Sequence, residues 1–128
     1  MEFDKKLPIY EQLVQYFKHS FVDGTYQAGD ELPSRREVAQ RMSINPNTVQ
    51  RAYKTMEEEG LIVTEANVTS RLTDDLNKLA QLKFDLVREA METFYEAVRP
   101  LGMDTETLLQ QLKQHIQQRQ GGQPHVRN

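Results

Sequence analysis

The sequence predicts a mainly α fold with one small β-hairpin, and three observations carry that expectation. Apolar residues recur at helical spacing, as in Ile9, Leu13, Phe17 and Phe21. Helix-start signals recur at Ser34 with Glu37, at Asn45 with Pro46, and at Asp104. One stretch alone, 61–73, reads as two short strands about a turn. At 128 residues the chain has room for one ordinary domain, or a small domain with an appendage, which excludes most large enzyme folds.

The first helix is expected over 8–23, with proline tolerated in its first turn and Gly24 past its end. Ile9, Leu13, Phe17 and Phe21 form its buried stripe. "TYQAGDELP" is a connector, with Gly29 and Asp30 marking a turn. A second helix starts at Ser34, because Ser34 followed by Glu37 is a capping box. It ends near Met42, and Val38, Ala39 and Met42 turn to the core. In "SINPNTVQRAYKTMEEEGL" Asn45 is the N-cap of a third helix and Pro46 its first residue, where a missing amide costs nothing. Ile44 packs on Val49 across this cap, and Gly60 stops the helix.

At 100° per residue, Val49, Ala52, Tyr53 and Met56 share one side of that helix. Asn47, Arg51 and Lys54 fall opposite, with Thr48 and Gln50 at the edges. "LIVT", 61–64, and "TSRLT", 69–73, pair as strands about a turn near Asn67. A long helix follows over 74–99, capped by Thr73 or Asp74 and ended by Pro100 and Gly102. Its positions Ala80, Phe84, Val87, Met91, Phe94 and Val98 repeat at heptad-like spacing, widened by Leu76, Leu79, Leu86 and Ala90. That is more apolar surface than one neighbouring helix covers. Asp104 caps a last helix whose Leu108, Leu109, Leu112 and Ile116 face one way, with Met103 stapled onto Leu108. Beyond about Gln118 the tail "RQGGQPHVRN" is expected to be disordered.

The net charge of −3 argues against a nucleic-acid binder on average, but its distribution argues the other way. Between Ser34 and Lys54 five cations, Arg35, Arg36, Arg41, Arg51 and Lys54, face one acid, Glu37. The start of the third helix presents Asn47, Thr48, Gln50 and Arg51. Asn and Gln pair bidentately with adenine, Arg with guanine, and a threonine methyl rests on thymine. A helix pair joined by a tight turn is the geometry that carries such groups into a major groove. Arg35 and Arg36 flank the exposed amides at the start of the second helix, a place for a backbone phosphate.

Other chemistries find little support. With no cysteine there is no disulfide, thiolate zinc site or cysteine nucleophile, and His19, His115 and His125 lack metal-ligand spacing. No cofactor motif, nucleophile elbow or phosphate loop is present, so no enzyme activity is expected. Glu57, Glu58 and Glu59 read as a solvated helix end, and Tyr10, Tyr16, Phe17, Phe21, Phe84 and Phe94 as core or interface. Nothing approaches a membrane span, and "MEFDKKLPIY" has no apolar segment of a secretory signal, so a cytoplasmic protein is expected.

"LPIYEQL" together with "GDELPSRREVAQRMSINPNTVQRAYKTMEEEGLI" resembles the GntR family of bacterial winged-helix transcription factors, and most closely its YtrA-like subfamily. The resemblance spans 7–64. It implies an N-terminal winged helix-turn-helix over 1–72 and a two-helix dimerisation hairpin over 73–118, ahead of the tail over 119–128 that composition predicts to be disordered. It further implies a homodimer on a palindromic DNA operator, a bacterial cytoplasm, repression, and control of a transporter operon. On the motif positions it implies DNA contacts by Arg36, Asn45, Asn47, Thr48 and Gln50, joined by Arg51; Ser34, Arg35 and Lys54 border them. Family members end the domain with a glycine-rich wing, where this chain has "NVTSRL" with Arg71 in place of an apolar residue. Arg71 is then a candidate phosphate contact. The dimer seam is expected to use Ala80, Phe84, Val87, Met91, Phe94, Val98, Leu108 and Leu112. The competing class is a protein-interaction module that has lost operator reading, which the altered wing and acidic net charge favour and the groove-facing Asn47, Gln50 and Arg51 disfavour.

Overall fold

A computed structural model describes residues 3–66 and 69–121. Its elements run α1 (Ile9–Val22), α2 (Arg35–Met42), α3 (Pro46–Glu58), β1 (Ile62–Glu65), β2 (Thr69–Leu72) and α4 (Leu76–Val98). A short 3-10 turn (Arg99–Leu101) leads to α5 (Thr105–Gly121). The chain divides into two units, 1–88 and 89–128.

In the first unit everything is built on the apolar side of α3. Val49, Ala52, Tyr53 and Met56 are fully buried, as their spacing requires. They meet Leu13, Val14, Phe17 and Phe21 of α1, Val38 and Ala39 of α2, and Ile44 from the turn between α2 and α3. Phe17 packs edge-on against Tyr53, with ring centroids 5.7 Å apart. The Tyr53 hydroxyl donates to the carbonyl of Pro33, so the one polar atom of a buried ring is satisfied. Burial raises the pKa of this phenol well above the ordinary value.

The stripe of α1 differs from expectation at its first position. Ile9 is 43 % exposed, because it lies in the opening turn beside an open cleft rather than over the core, and Val14 is buried in addition. No side chain caps α1. Gln12 instead donates to the carbonyls of Asp4 and Leu7 and accepts from the Asp4 amide, which ties the leading segment to the helix.

The hairpin is antiparallel, with Ile62 opposite Leu72, Val63 opposite Arg71, Thr64 opposite Ser70 and Glu65 opposite Thr69. Ile62, Leu72 and Ser70 are buried while Val63 and Arg71 face out, the alternation a half-covered sheet imposes. The connector before α2 contributes as well: the Leu32 amide donates to the Ser70 carbonyl, and the Leu72 amide to that of Asp30. Asn67, where the turn was expected, and Val68 lie outside the described residues; Ala66 enters that turn with φ +52°.

On α4 the cap is Asp75, not Thr73 or Asp74. Its Oδ1 accepts from the amides of Asn77 and Lys78 at 3.0 and 3.2 Å, the reach of a residue immediately before the first helical position. Leu82 and Leu86 are buried in the core, with Leu79 packed against it. Leu86 therefore serves the core rather than widening the seam, whereas Ala80, Phe84 and Val87 are exposed. Leu76, at the helix start, is 70 % exposed.

In the second unit Met91 and Phe94 are exposed and Val98 is half-buried. Gly102 takes a left-handed conformation at φ +69° after the 3-10 turn. Asp104 then caps α5 as expected, its carboxylate accepting from the Thr107 amide at 3.1 Å, and that contact lowers its pKa. Leu108 and Leu112 are half-buried, while Leu109 and Ile116 are exposed. The helix reaches Gly121, beyond the expected end near Gln118. Of the expected tail, residues 122–128 lie outside the described residues.

Removing the Tyr53 hydroxyl leaves the ring in place and the Pro33 carbonyl without its donor. Tyr53→Phe is expected to lower the unfolding free energy by about 1 kcal/mol, measured by urea denaturation at fixed protein concentration; an unchanged midpoint would show that the bond adds nothing.

Candidate nucleic-acid interface

The α2–α3 pair is set by its two caps and the turn between them. The Ser34 hydroxyl accepts from the Glu37 amide at 3.1 Å, and the Glu37 carboxylate accepts from the Ser34 amide at 3.0 Å. This reciprocal box holds the Glu37 pKa below its ordinary value, through the Ser34 backbone contact first and the hydroxyl second. Three residues, Ser43, Ile44 and Asn45, separate the helices. Ser43 adopts the left-handed region at φ 54°, ψ 48°, a strained conformation for a residue with a Cβ. Ile44 drops into the core, and Asn45 Oδ1 accepts from the Asn47 amide at 2.8 Å. The turn is thereby fixed at its start, middle and end.

Because α3 buries one side, its other side is presented to solvent. Asn45, Asn47, Gln50, Arg51 and Lys54 are exposed and Thr48 is half-buried, as the helical projection requires. Ser34 and Arg36 are exposed at the head of α2. The backbone places the amide, hydroxyl and guanidinium groups of Asn47, Thr48, Gln50 and Arg51 along the first turns of α3, the end of a helix that meets base edges when it lies in a major groove.

The cations of this region fall into two classes. Arg41 pairs with Glu37 at 3.4 Å. Arg35 pairs with Glu57 at 3.5 Å and lies over the Tyr53 ring, 4.8 Å from its centroid. Arg71 bridges Glu65 at 2.9 Å and Glu31 at 3.6 Å, which ties the hairpin to the connector. Among the described residues, Arg36, Arg51 and Lys54 have no carboxylate partner. These three are the charges left over for an anionic partner. Sequence alone does not separate the two classes, since it carries no information on which acids fold back.

Two of the three glutamates at the end of α3 are not free solvent groups. Glu57 meets Arg35 and also accepts from the Thr64 hydroxyl, which in turn contacts the Ser70 hydroxyl at 2.8 Å. Glu59 pairs with Lys18 at 3.0 Å. Glu57 thus links the head of α2, the end of α3 and both strands, a role invisible in a run of identical residues. Tyr10 is the other residue whose role the sequence concealed: the Arg51 guanidinium lies 3.9 Å from the centre of its ring. Its helical spacing suggested only packing.

Among the described residues no cluster of three histidine, cysteine or acidic side chains gathers to hold a metal ion, and no helix is long and apolar enough to cross a membrane.

Comparison with known proteins agrees with this geometry. Residues 9–72 match the model of the bacterial regulatory proteins of the gntR family. The chain is 33 % identical over 112 residues to the uncharacterized HTH-type transcriptional regulator YhcF of Bacillus subtilis, covering 88 % of this chain and 93 % of that one. It is also 33 % identical over 116 residues to the HTH-type transcriptional repressor YtrA of the same organism, covering 90 % and 89 %. A solved GntR family transcriptional regulator from Listeria monocytogenes superposes with a TM-score of 0.81 at 38 % identity, covering 88 % of this chain and 98 % of its own. The capped helix pair, its polar outer face and these likenesses lead to one conclusion: the chain belongs to the GntR family of bacterial regulatory proteins, as a DNA-binding transcriptional regulator with a winged-helix fold.

Proposed function

We propose that this regulator is a homodimeric repressor that reads a palindromic operator with α3 and dimerises through α4 and α5. The observation that carries the reading is the exposed set Asn47, Gln50 and Arg51 on the first turns of a helix whose opposite side is fully buried. Asn47 and Gln50 suit adenine and Arg51 suits guanine, with the Thr48 methyl at its edge. Arg36 and Lys54, lacking carboxylate partners among the described residues, serve backbone phosphates, and Ser34 and Asn45 border them at the two helix starts. Arg35 and Arg71 contribute less, since each must exchange a carboxylate for a phosphate.

Dimerisation is supported by apolar surface that the single chain leaves open. Phe84 is 67 % exposed and Met91 57 %, and with Ala80, Val87, Phe94 and Val98 they keep heptad-like spacing along α4. No residue of α5 is buried either, although Leu108 and Leu112 are apolar. A two-fold axis through such a seam presents two copies of α3 to a symmetric site. The roles divide as 1–72 for DNA and 73–118 for dimerisation, the last helix continuing to Gly121. Repression is supported by the likeness to the transcriptional repressor YtrA of Bacillus subtilis, and the subfamily likeness supports a transporter operon as the target in a bacterial cytoplasm.

Selection from random-sequence duplex DNA tests the reading. The expected product is an inverted repeat recovered by the unmodified protein and lost with Asn47→Ala. On that repeat, Arg36→Ala or Lys54→Ala should lower the slope of log K against log salt by about 1, while Arg71→Ala changes it less. No enrichment by folded protein would favour an interaction module instead. Separately, Met91→Asp or Phe94→Asp should shift the protein toward monomer in sedimentation; an unchanged dimer would refute the seam.

A further inference from the structure

We propose that Tyr10 is a positioning residue for DNA reading: its ring, on the first turn of α1, holds Arg51 of α3 in the conformation that meets the groove. The inference rests on the reading of α3 as the DNA-facing helix.

An exposed arginine is a long, mobile side chain, and something must restrict it before its fork can discriminate bases. Arg35 and Arg41 are restricted by carboxylates, but a carboxylate occupies the same N–H donors that a base would use. Arg51 has no such partner among the described residues. Its guanidinium lies 3.9 Å from the centre of the Tyr10 ring instead, and a ring attracts the cation electrostatically without occupying its hydrogen-bond donors. The guanidinium is restrained while its N–H groups remain available to guanine O6 and N7.

Tyr10 is itself held in place. It is half-buried and packs against the core cluster, and its hydroxyl donates to Glu11 Oε1 at 3.3 Å. Pro8, Ile9 and Tyr10 form one wall of an open cleft of about 420 Å³ whose other wall is Asn47, Thr48 and Arg51. The start of α1, outside the helix pair, therefore shares a surface with the base-reading residues.

A double-mutant cycle on the selected duplex, at one salt concentration, tests this. Tyr10→Leu should weaken binding by about two- to fivefold, the range of an exposed cation–π contact. Combined with Arg51→Ala it should add no further loss, and Tyr10→Phe should restore binding because the ring returns. Tyr10→Leu should also reduce discrimination at the base pair that Arg51 governs while leaving the other positions unchanged. An equal loss from Tyr10→Leu with and without Arg51, or no loss at all, would overturn the proposal. Where Tyr10→Leu does not fold, the Arg51 Nε–H resonance decides. A ring-current shift, present in the unmodified protein and Tyr10→Phe and retained on DNA, supports the proposal; an unshifted resonance overturns it. Asn47→Ala separates the two levels. Loss of site binding with Asn47→Ala alongside an uncoupled Tyr10 defeats the positioning role alone, whereas binding indifferent to both Asn47→Ala and Arg51→Ala defeats the reading of α3 as well.

Discussion

The burial of one side of α3 is the constraint on which the rest of the first unit depends. Val49, Ala52, Tyr53 and Met56 have no solvent exposure, and each large side chain so removed from water stabilises the fold by roughly 1.5–3 kcal/mol. Rotating α3 about its axis would forfeit that stabilisation. The outward direction of Asn47, Gln50 and Arg51 is consequently fixed by the core and not by any contact they make themselves. A rigid apolar side thus determines where the polar side points.

The supports around α3 act on the same orientation. The Ser34–Glu37 box and the Asn45 cap fix where the two helices begin, and Tyr53, through the Pro33 carbonyl, ties α3 to the segment entering α2. Glu57 ties α3 to the head of α2 through Arg35 and to the hairpin through Thr64. Arg71 then joins β2 to the connector through Glu31 and Glu65. Arg35 and Arg71, both expected to contact DNA, are thereby engaged within the domain, which leaves Arg36, Arg51 and Lys54 without a carboxylate partner among the described residues.

Local signals made most of the fold legible. The caps at Ser34, Asn45 and Asp104 were visible because each depends on residues no more than three positions apart. The sides of α3 followed from the helical period alone. Less was legible where adjacent residues offered equivalent signals or a partner came from far along the chain. Asp75 rather than Thr73 or Asp74 caps α4, a choice among three adjacent candidates that the starting point of the helix decides. Leu86 joined the core, because α4 carries two apolar faces and sequence spacing does not say which neighbour each will meet. At the interface, residue identities and their facing were readable. The pairing of Arg35 with Glu57 and of Arg51 with Tyr10 was not, since these partners lie on different elements.

On the proposed reading, DNA meets the protein on the outward side of α3, held by the core behind it. That reading is tested most directly by nuclear magnetic resonance of the folded protein titrated with its selected duplex. The largest shifts are expected at the side-chain amides of Asn47 and Gln50 and at the backbone amides of the first turn of α3. Shifts confined to α4 and α5, with the Asn47 and Gln50 side chains unperturbed, would contradict it.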